Sequence, residues 1–217
     1  MTSLLAASYP PFGLHVQAGS LELRPITDDV LPGLGDLARS GIHPPDRMPF
    51  YVPWTAAPDE ELPTNLAQYH WRQRSGFRPS EWSLELAVFD DGHLVGCQGI
   101  GTREFLVTRT GETGSWLGQA HQRRGIGTRM RRAMCALAFD HLGFTEITSG
   151  AFIDNPASLA VSRKVGYRPD GITRLKRGDE LALNRRLVLT PEEFVRGPDP
   201  VEVDGADALR RFIGLDS

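Results

Sequence analysis

The sequence predicts an α/β domain built on a mixed, mostly antiparallel central sheet with about four flanking helices. Three observations carry that expectation. Strand-like alternation on both sides of Asp90, Asp91 and Gly92 marks an antiparallel hairpin. A strand, helix, strand succession between Gly118 and Ile153 demands a parallel crossover. A length of 217 residues, 40% hydrophobic and 24% charged, suits one sizeable core.

The elements follow in order. Residues 1–20 carry little periodicity and read as a flexible lead-in. LELRP from Leu21 alternates as a strand does, and Thr27 with Asp28 and Asp29 starts a helix before Val30, Leu34 and Leu37. The stretch 41–58 holds five prolines and three aromatics, too broken for a helix and too apolar for a linker, so it should be an ordered loop over a pocket. A helix should run from about Pro58 to Ser75, with Asp59, Glu60 and Glu61 in its first turn and Leu62, Leu66 and Tyr69 inward. SLELAVF from Ser83 and HLVGCQGI from His93 form the hairpin, and Glu112–Gly118 is a short strand. Gly125–His141 reads as a helix with Met130, Met134, Leu137 and Ala138 on one stripe, followed by a strand at Glu146. A second helix spans Asn155–Lys164, Gly166 stops it, Tyr167 opens a strand, and Glu180–Leu189 is the last clear strand. The main domain is therefore 21–190. Residues 191–217, with a VEV strand at Val201, form an extension packed on the domain or on a neighbouring subunit, which leaves room for a homodimer or higher homo-oligomer.

Net charge is −3, which gives no support to nucleic-acid or membrane-surface binding. The first basic residue is Arg24, so the apolar start from Leu4 to Ala7 lacks the flank of a signal peptide, and cytoplasmic residence is expected. Cys97 and Cys135 are isolated and suit buried free thiols. The six histidines show no metal-ligand spacing, and no metal is expected.

Chemistry concentrates in LGQAHQRRGIGTRMRRAM from Leu117. Gly125 and Gly127 let the backbone turn and approach a ligand, and the first unpaired amides of the following helix favour an anion. Arg123 and Arg124 add charge beside them, and Arg129, Arg131 and Arg132 continue a basic face. Such turns also occur purely for close packing. The GK[ST] ending of a P-loop and the third glycine of a dinucleotide fingerprint are both missing, which argues against ATP and NAD.

QRRGIG, Gln122 to Gly127, resembles the Q/R-x-x-G-x-G/A pattern of the GNAT acyltransferases, and DNPASLAVSRKVGYRPDG from Asp154 is similar to a second block of their RimJ and RimL-like branch. ETGSWLG from Glu112 resembles the branch's E-x-G-Y-W-L string, with Ser115 in place of the tyrosine. The resemblance implies the GNAT fold, with a splayed parallel strand pair at an acyl-coenzyme A site. Coenzyme contacts then fall to Trp116, Leu117, Gln122, Arg123, Arg124, Gly125, Ile126, Gly127, Thr128, Asn155, Ser158 and Ser162. It implies N-acyl transfer from acetyl-CoA to an amine. DRMPFYVPW from Asp46 and DNPASLAVSRKVGY are also similar to an actinobacterial subgroup for which succinyl-CoA has been proposed as donor.

Direct attack of an amine on a thioester needs both partners positioned, an oxyanion stabilised and a thiolate protonated. Asn155, Ser158 and Ser162 share one helix face. By the resemblance, Ser158 and Tyr167 are candidate proton donors to the sulfur. Asn155 also reads as an N-cap, and Tyr167 as a packing residue with its hydroxyl at the surface. Glu112, ahead of Glu104 and Glu85, is the candidate base, and His121 is expected to face solvent. Asp46, Arg47, Tyr51 and Trp54 are candidate acceptor-pocket residues. A non-catalytic acyl-CoA sensor or partner-binding protein would keep the same coenzyme residues.

Overall fold

A computed structural model describes residues 4–216. Seven α-helices and nine strands are assigned among them, and the strands form one sheet in the order β7-β8-β6-β5-β4-β3-β2-β1-β9. The chain runs α1 (Leu4–Ser8), β1 (His15–Ala18), β2 (Leu21–Pro25), α2 (Leu31–Arg39) and α3 (Leu62–Gly76). The hairpin β3 (Glu81–Asp90) and β4 (His93–Arg103), a short α4 (Phe105–Thr108) and β5 (Thr110–Leu117) follow. Then come α5 (Ile126–Ala136), β6 (Glu146–Phe152), α6 (Pro156–Val165), β7 (Arg168–Arg177), β8 (Glu180–Leu189), β9 (Glu202–Asp204) and α7 (Ala206–Phe212).

Alternation along the strands builds a core on each face. Leu84, Leu86, Ile100 and Ile147 point to the side covered by α5 and α7, where Met130, Met134, Leu209 and Ile213 pack. Ala87 and Cys97 point to the opposite side, where Leu34 and Ala38 of α2 and Leu66 of α3 lie. Both cysteines are buried and free.

Several expectations need correction. Part of the supposed lead-in is a sheet strand: β1 pairs antiparallel with β2 and with β9, and Leu14, Val16 and Ala18 are buried. Its four residues were too few to show periodicity against the prolines before them. The tail, expected on the domain or on a neighbour, joins the domain's own sheet through β9 and seats Leu209 and Ile213 in the core. Asp59, Glu60 and Glu61 precede α3, with Glu61 at its N-cap, and His70 rather than half-exposed Tyr69 takes the deep position. α2 starts at Leu31, after a turn at Thr27. The helix at 125–141 is α only to Ala136 and widens into a π turn over Leu137–His141. Glu104 is not on a strand. It is an exposed residue with φ of 49° that starts α4.

Candidate functional site

β5 and β6 make the sheet's parallel pair, and they pair at three positions only, from Thr110↔Glu146 to Glu112↔Thr148. β5 continues against β4 to Leu117 and β6 against β8 to Phe152. The two inner edges therefore fork, unladdered, beyond Glu112 and Thr148. Side chains tie the root of the fork: Thr113 Oγ1 donates to the Thr148 carbonyl and Ser149 Oγ to the Thr113 carbonyl, each at 3.3 Å.

β5 leads straight from the fork into the glycine turn. Arg123 and Gly125 have φ of 61° and 82°, and no side chain caps α5, which leaves its first amides for a ligand. A Cβ on Gly125 would meet nothing within 4 Å, and one on Gly127 would make ordinary contacts with Val161 and Leu117. Close packing alone thus does not demand glycine at 127. Arg123, Arg124 and Gly125 are exposed, whereas Ile126 is buried and offers only its main chain. Thr128 is half-buried, its amide on the Gly125 carbonyl. The Gln122 side chain turns inward, donating to the Ile42 and Leu117 carbonyls at 2.6 and 3.0 Å, so it braces the turn.

The expected basic face does not extend along the helix. Arg129 pairs with Asp90 at 3.1 Å and also donates to Ser20. Arg132 donates to the Lys164 carbonyl. Arg131, expected on the surface, is buried beneath the fork, because the same helix face that carries Met130 and Met134 inward carries it too. Its guanidinium spans both strands, donating to Ser115 at 3.0 Å, Ser149 at 3.1 Å and Gln98 at 3.4 Å.

α6 begins at the far side of the fork. Asn155 accepts from the Ser158 amide at 3.2 Å, so it is an N-cap, with Pro156 at the first helical position. Ser158 is half-buried. Ser162, on the same face, is fully enclosed and its hydroxyl has no partner among the described residues, so as it stands it is shut off from a ligand in the fork. The Tyr167 hydroxyl is not at the surface. It lies 3.0 Å from Thr113 Oγ1 and 3.6 Å from Cys135 Sγ, and burial pushes its pKa up. His121 is half-buried with Nδ1 unpartnered, rather than facing solvent.

On the opposite sheet face a groove of about 840 Å³ is lined by Gln73, Ser83, Glu85, Gly101, Glu112, Gly114 and Thr148, among others. Glu112 is exposed there. Glu85 accepts from Ser83 at 3.0 Å, Tyr69 at 3.2 Å and Cys97 at 3.4 Å, and burial raises its pKa. Sequence reasoning ranked Glu85 behind Glu112 because its three neutral partners come from three different elements.

The proline-rich loop is ordered by aromatic contacts. Phe50 meets Trp54 at 5.3 Å, and Trp54 meets Trp116 at 5.7 Å, which commits the Trp116 side chain to the loop. Asp46, Arg47 and Tyr51 are exposed, and neither they nor Trp54 lines the groove. Arg177 from the β7–β8 hairpin holds Asp154 through two bonds and reaches the Met48 carbonyl at 3.5 Å, joining hairpin and loop beside Asn155. Among the described residues no cluster of three or more His, Cys, Asp or Glu could hold a metal, and no helix is long and apolar enough to cross a membrane.

A family model described as an acetyltransferase (GNAT) domain matches residues 20–168. The Bacillus subtilis (strain 168) protein YdaF, which carries the name of a ribosomal N-acetyltransferase, is 28% identical over 91 residues, 42% of this chain; the match spans about half of YdaF, 49%. Among solved structures, Mycobacterium smegmatis RimJ in complex with a CoA disulfide aligns with a TM-score of 0.68 at 19% identity, covering 92% of each chain. A RimL ribosomal L7/L12 α-N-protein acetyltransferase in complex with coenzyme A aligns at 0.64 and 17% identity, covering 80% of this chain and 95% of its own. At these identities the structural matches speak to the fold.

Proposed function

Because this chain belongs to the GNAT acetyltransferase family, we propose that it is an acyl-CoA-dependent N-acyltransferase that moves a short acyl group, acetyl or succinyl, onto an amine. The observation that carries this reading is the fork between β5 and β6, which opens directly onto an uncapped helix start. A pyrophosphate on the amides of residues 124–127, flanked by Arg123 and Arg124, sends the pantetheine into the fork. There it runs along the main chain of Trp116 to Gly118, with Asn155 and Ser158 on its other side, and a β5 amide receives the thioester oxyanion.

The reaction then needs an amine from the groove face. Its nitrogen attacks the carbonyl carbon, the C–S bond breaks, and Ser158 passes a proton to the sulfur, ahead of Tyr167, whose hydroxyl is engaged with Thr113. The buried guanidinium of Arg131 lowers the cost of charge on the departing thiolate. Acetyl is the default donor, and the acceptor is the amine of a protein terminus, a lysine or a small molecule.

The test is amine-dependent release of CoA thiol from acetyl-CoA and, separately, succinyl-CoA, over a panel of peptides and small amines. Turnover should fall about 100-fold in Ser158→Ala and by less than about threefold in Tyr167→Phe. Binding of acyl-CoA without thiol release from any amine would replace the enzyme reading with a sensor.

A further inference from the structure

Glu85 and the strip of sheet beside it form a site that the coenzyme half of the reaction does not use. Glu85 of β3 pairs across the sheet with Gly99 of β4, which pairs with Gly114 of β5. Glu85 and Gly114 line the groove, and Gly99 is buried between them beneath the carboxyl. A Cβ on Gly99 would lie 2.4 Å from Glu85 Oε2, so only glycine lets the carboxyl lie down over β4. A Cβ on Gly114 would meet nothing within 4 Å, so the floor between the carboxyl and the fork is bare of side chains. The row ends at the β5 edge of the fork.

The carboxyl itself lacks a cation. Its three donors, Tyr69, Ser83 and Cys97, are neutral. The arginines that line the two spaces beside it pair with other groups: Arg74 with Asp28 and the Ile26 carbonyl, and Arg103, exposed at the groove rim, with Glu81 at 3.6 Å. Glu81 and Glu112 are the other acids on the groove wall, and both are exposed. A carboxylate drawn out of water with only neutral donors is costly until a cation arrives, and the groove opens onto it.

Glu85 also borders a second space. A narrow cavity of about 30 Å³, enough for a water, continues from Ser83 and Glu85 past Gln73 to His70, Arg74 and Tyr9. His70, held neutral by burial with a pKa lowered to about 4, also lines that cavity.

We propose that Glu85 anchors the acceptor as a primary ammonium on a slim, unbranched stem laid over Gly114, and takes its first proton. This rests on the acyltransferase reading. The ammonium gives one proton to the Glu85 carboxylate and becomes a neutral amine. Its lone pair then forms the C–N bond at the thioester carbon while the C–S bond breaks, and the second proton goes to the sulfur. The proton on Glu85 leaves by the narrow cavity, so one amide, one thiol and one proton result.

The test follows the Glu85 carboxyl directly. Protein saturated with CoA is titrated with acid and base under infrared observation, with wild type minus Glu85→Gln isolating the carboxyl band, and n-butylammonium serves as the acceptor probe. The expected result is a neutral-acid band that persists above the ordinary carboxylate range and ionises on adding n-butylammonium, with the same response in Glu112→Gln. A band that ionises in the ordinary range, or that ignores n-butylammonium, overturns the assignment, as does a response lost in Glu112→Gln. Calorimetry separates the two readings. CoA affinity within about twofold of wild type in Glu85→Gln leaves the band as sole judge of this proposal, whereas wild type that fails to bind CoA overturns the acyltransferase reading and with it this assignment.

Discussion

Two ionisable side chains packed beside the fork have no opposite charge against them, one a base and one an acid. Arg131 sits under the strands among Ser115, Ser149 and Gln98, and Glu85 sits above them among Tyr69, Ser83 and Cys97. In the proposed acyl transfer negative charge develops on oxygen and sulfur on one side and the acceptor starts as a cationic nitrogen on the other, so each residue would meet the charge it lacks. Glu85 leaves a thermodynamic trace. Folded Glu85 binds its proton more tightly than the unfolded chain does, because burial raises its pKa from 4.5. Stability is therefore greatest below the ordinary carboxylate range and falls as pH rises from that range to the raised value. Glu85→Gln removes the penalty. Thermal melts should show the variant more stable than wild type at about pH 8, with the gain shrinking toward about pH 4. A variant less stable at both would mean that the carboxylate is well compensated in the native state. The sequence named both residues without their surroundings: Arg131 stood in a run of arginines, and Glu85 ranked behind Glu112 as a candidate base.

At the scale of elements, the fork and the groove depend on where strands stop pairing and where glycines stand. The strand, helix, strand pattern from Gly118 to Ile153 made the parallel pair legible, and Gly125 and Gly127 made the uncapped turn before α5 legible. The Asx-Pro signature at Asn155 gave α6 its start. Illegible were features fixed by contacts between distant segments: the α4 start at Glu104, the four-residue β1, and the row of Glu85, Gly99 and Gly114, which exists only once β3, β4 and β5 are in register. The groove floor makes a prediction of its own. Gly114→Val adds a β-branched side chain in open space on a strand, so denaturant unfolding should shift by no more than about 0.5 kcal/mol. Amine-dependent thiol release should drop at least about tenfold, through a higher KM for the amine and with CoA affinity kept. An unchanged KM would move the acceptor off this floor.

The whole molecule is one sheet with a core on each face, and its two ends meet. β1 near the start and β9 near the end pair with each other, and α7 packs Leu209 and Ile213 into the same core as the sheet. This closure was hidden because a short edge strand needs a partner to be recognised, and the partner lay at the other end of the chain. The sheet's division of labour follows from its faces. α5 and α6 bring the glycine turn and Ser158, with its N-cap Asn155, to one side of the fork, while α3 and the groove bring Glu85 to the other. The central claim is that acyl-coenzyme A enters that fork from the α5 side. Calorimetric titration of the protein with acetyl-CoA, beside Gly125→Asp, tests it most directly. Asp adds a carboxylate and strains a backbone with φ of 82° at the point where the pyrophosphate should lie. The account predicts roughly micromolar binding to the wild type and a loss of at least about 100-fold in a variant that still folds. Equal affinity in both proteins would contradict it.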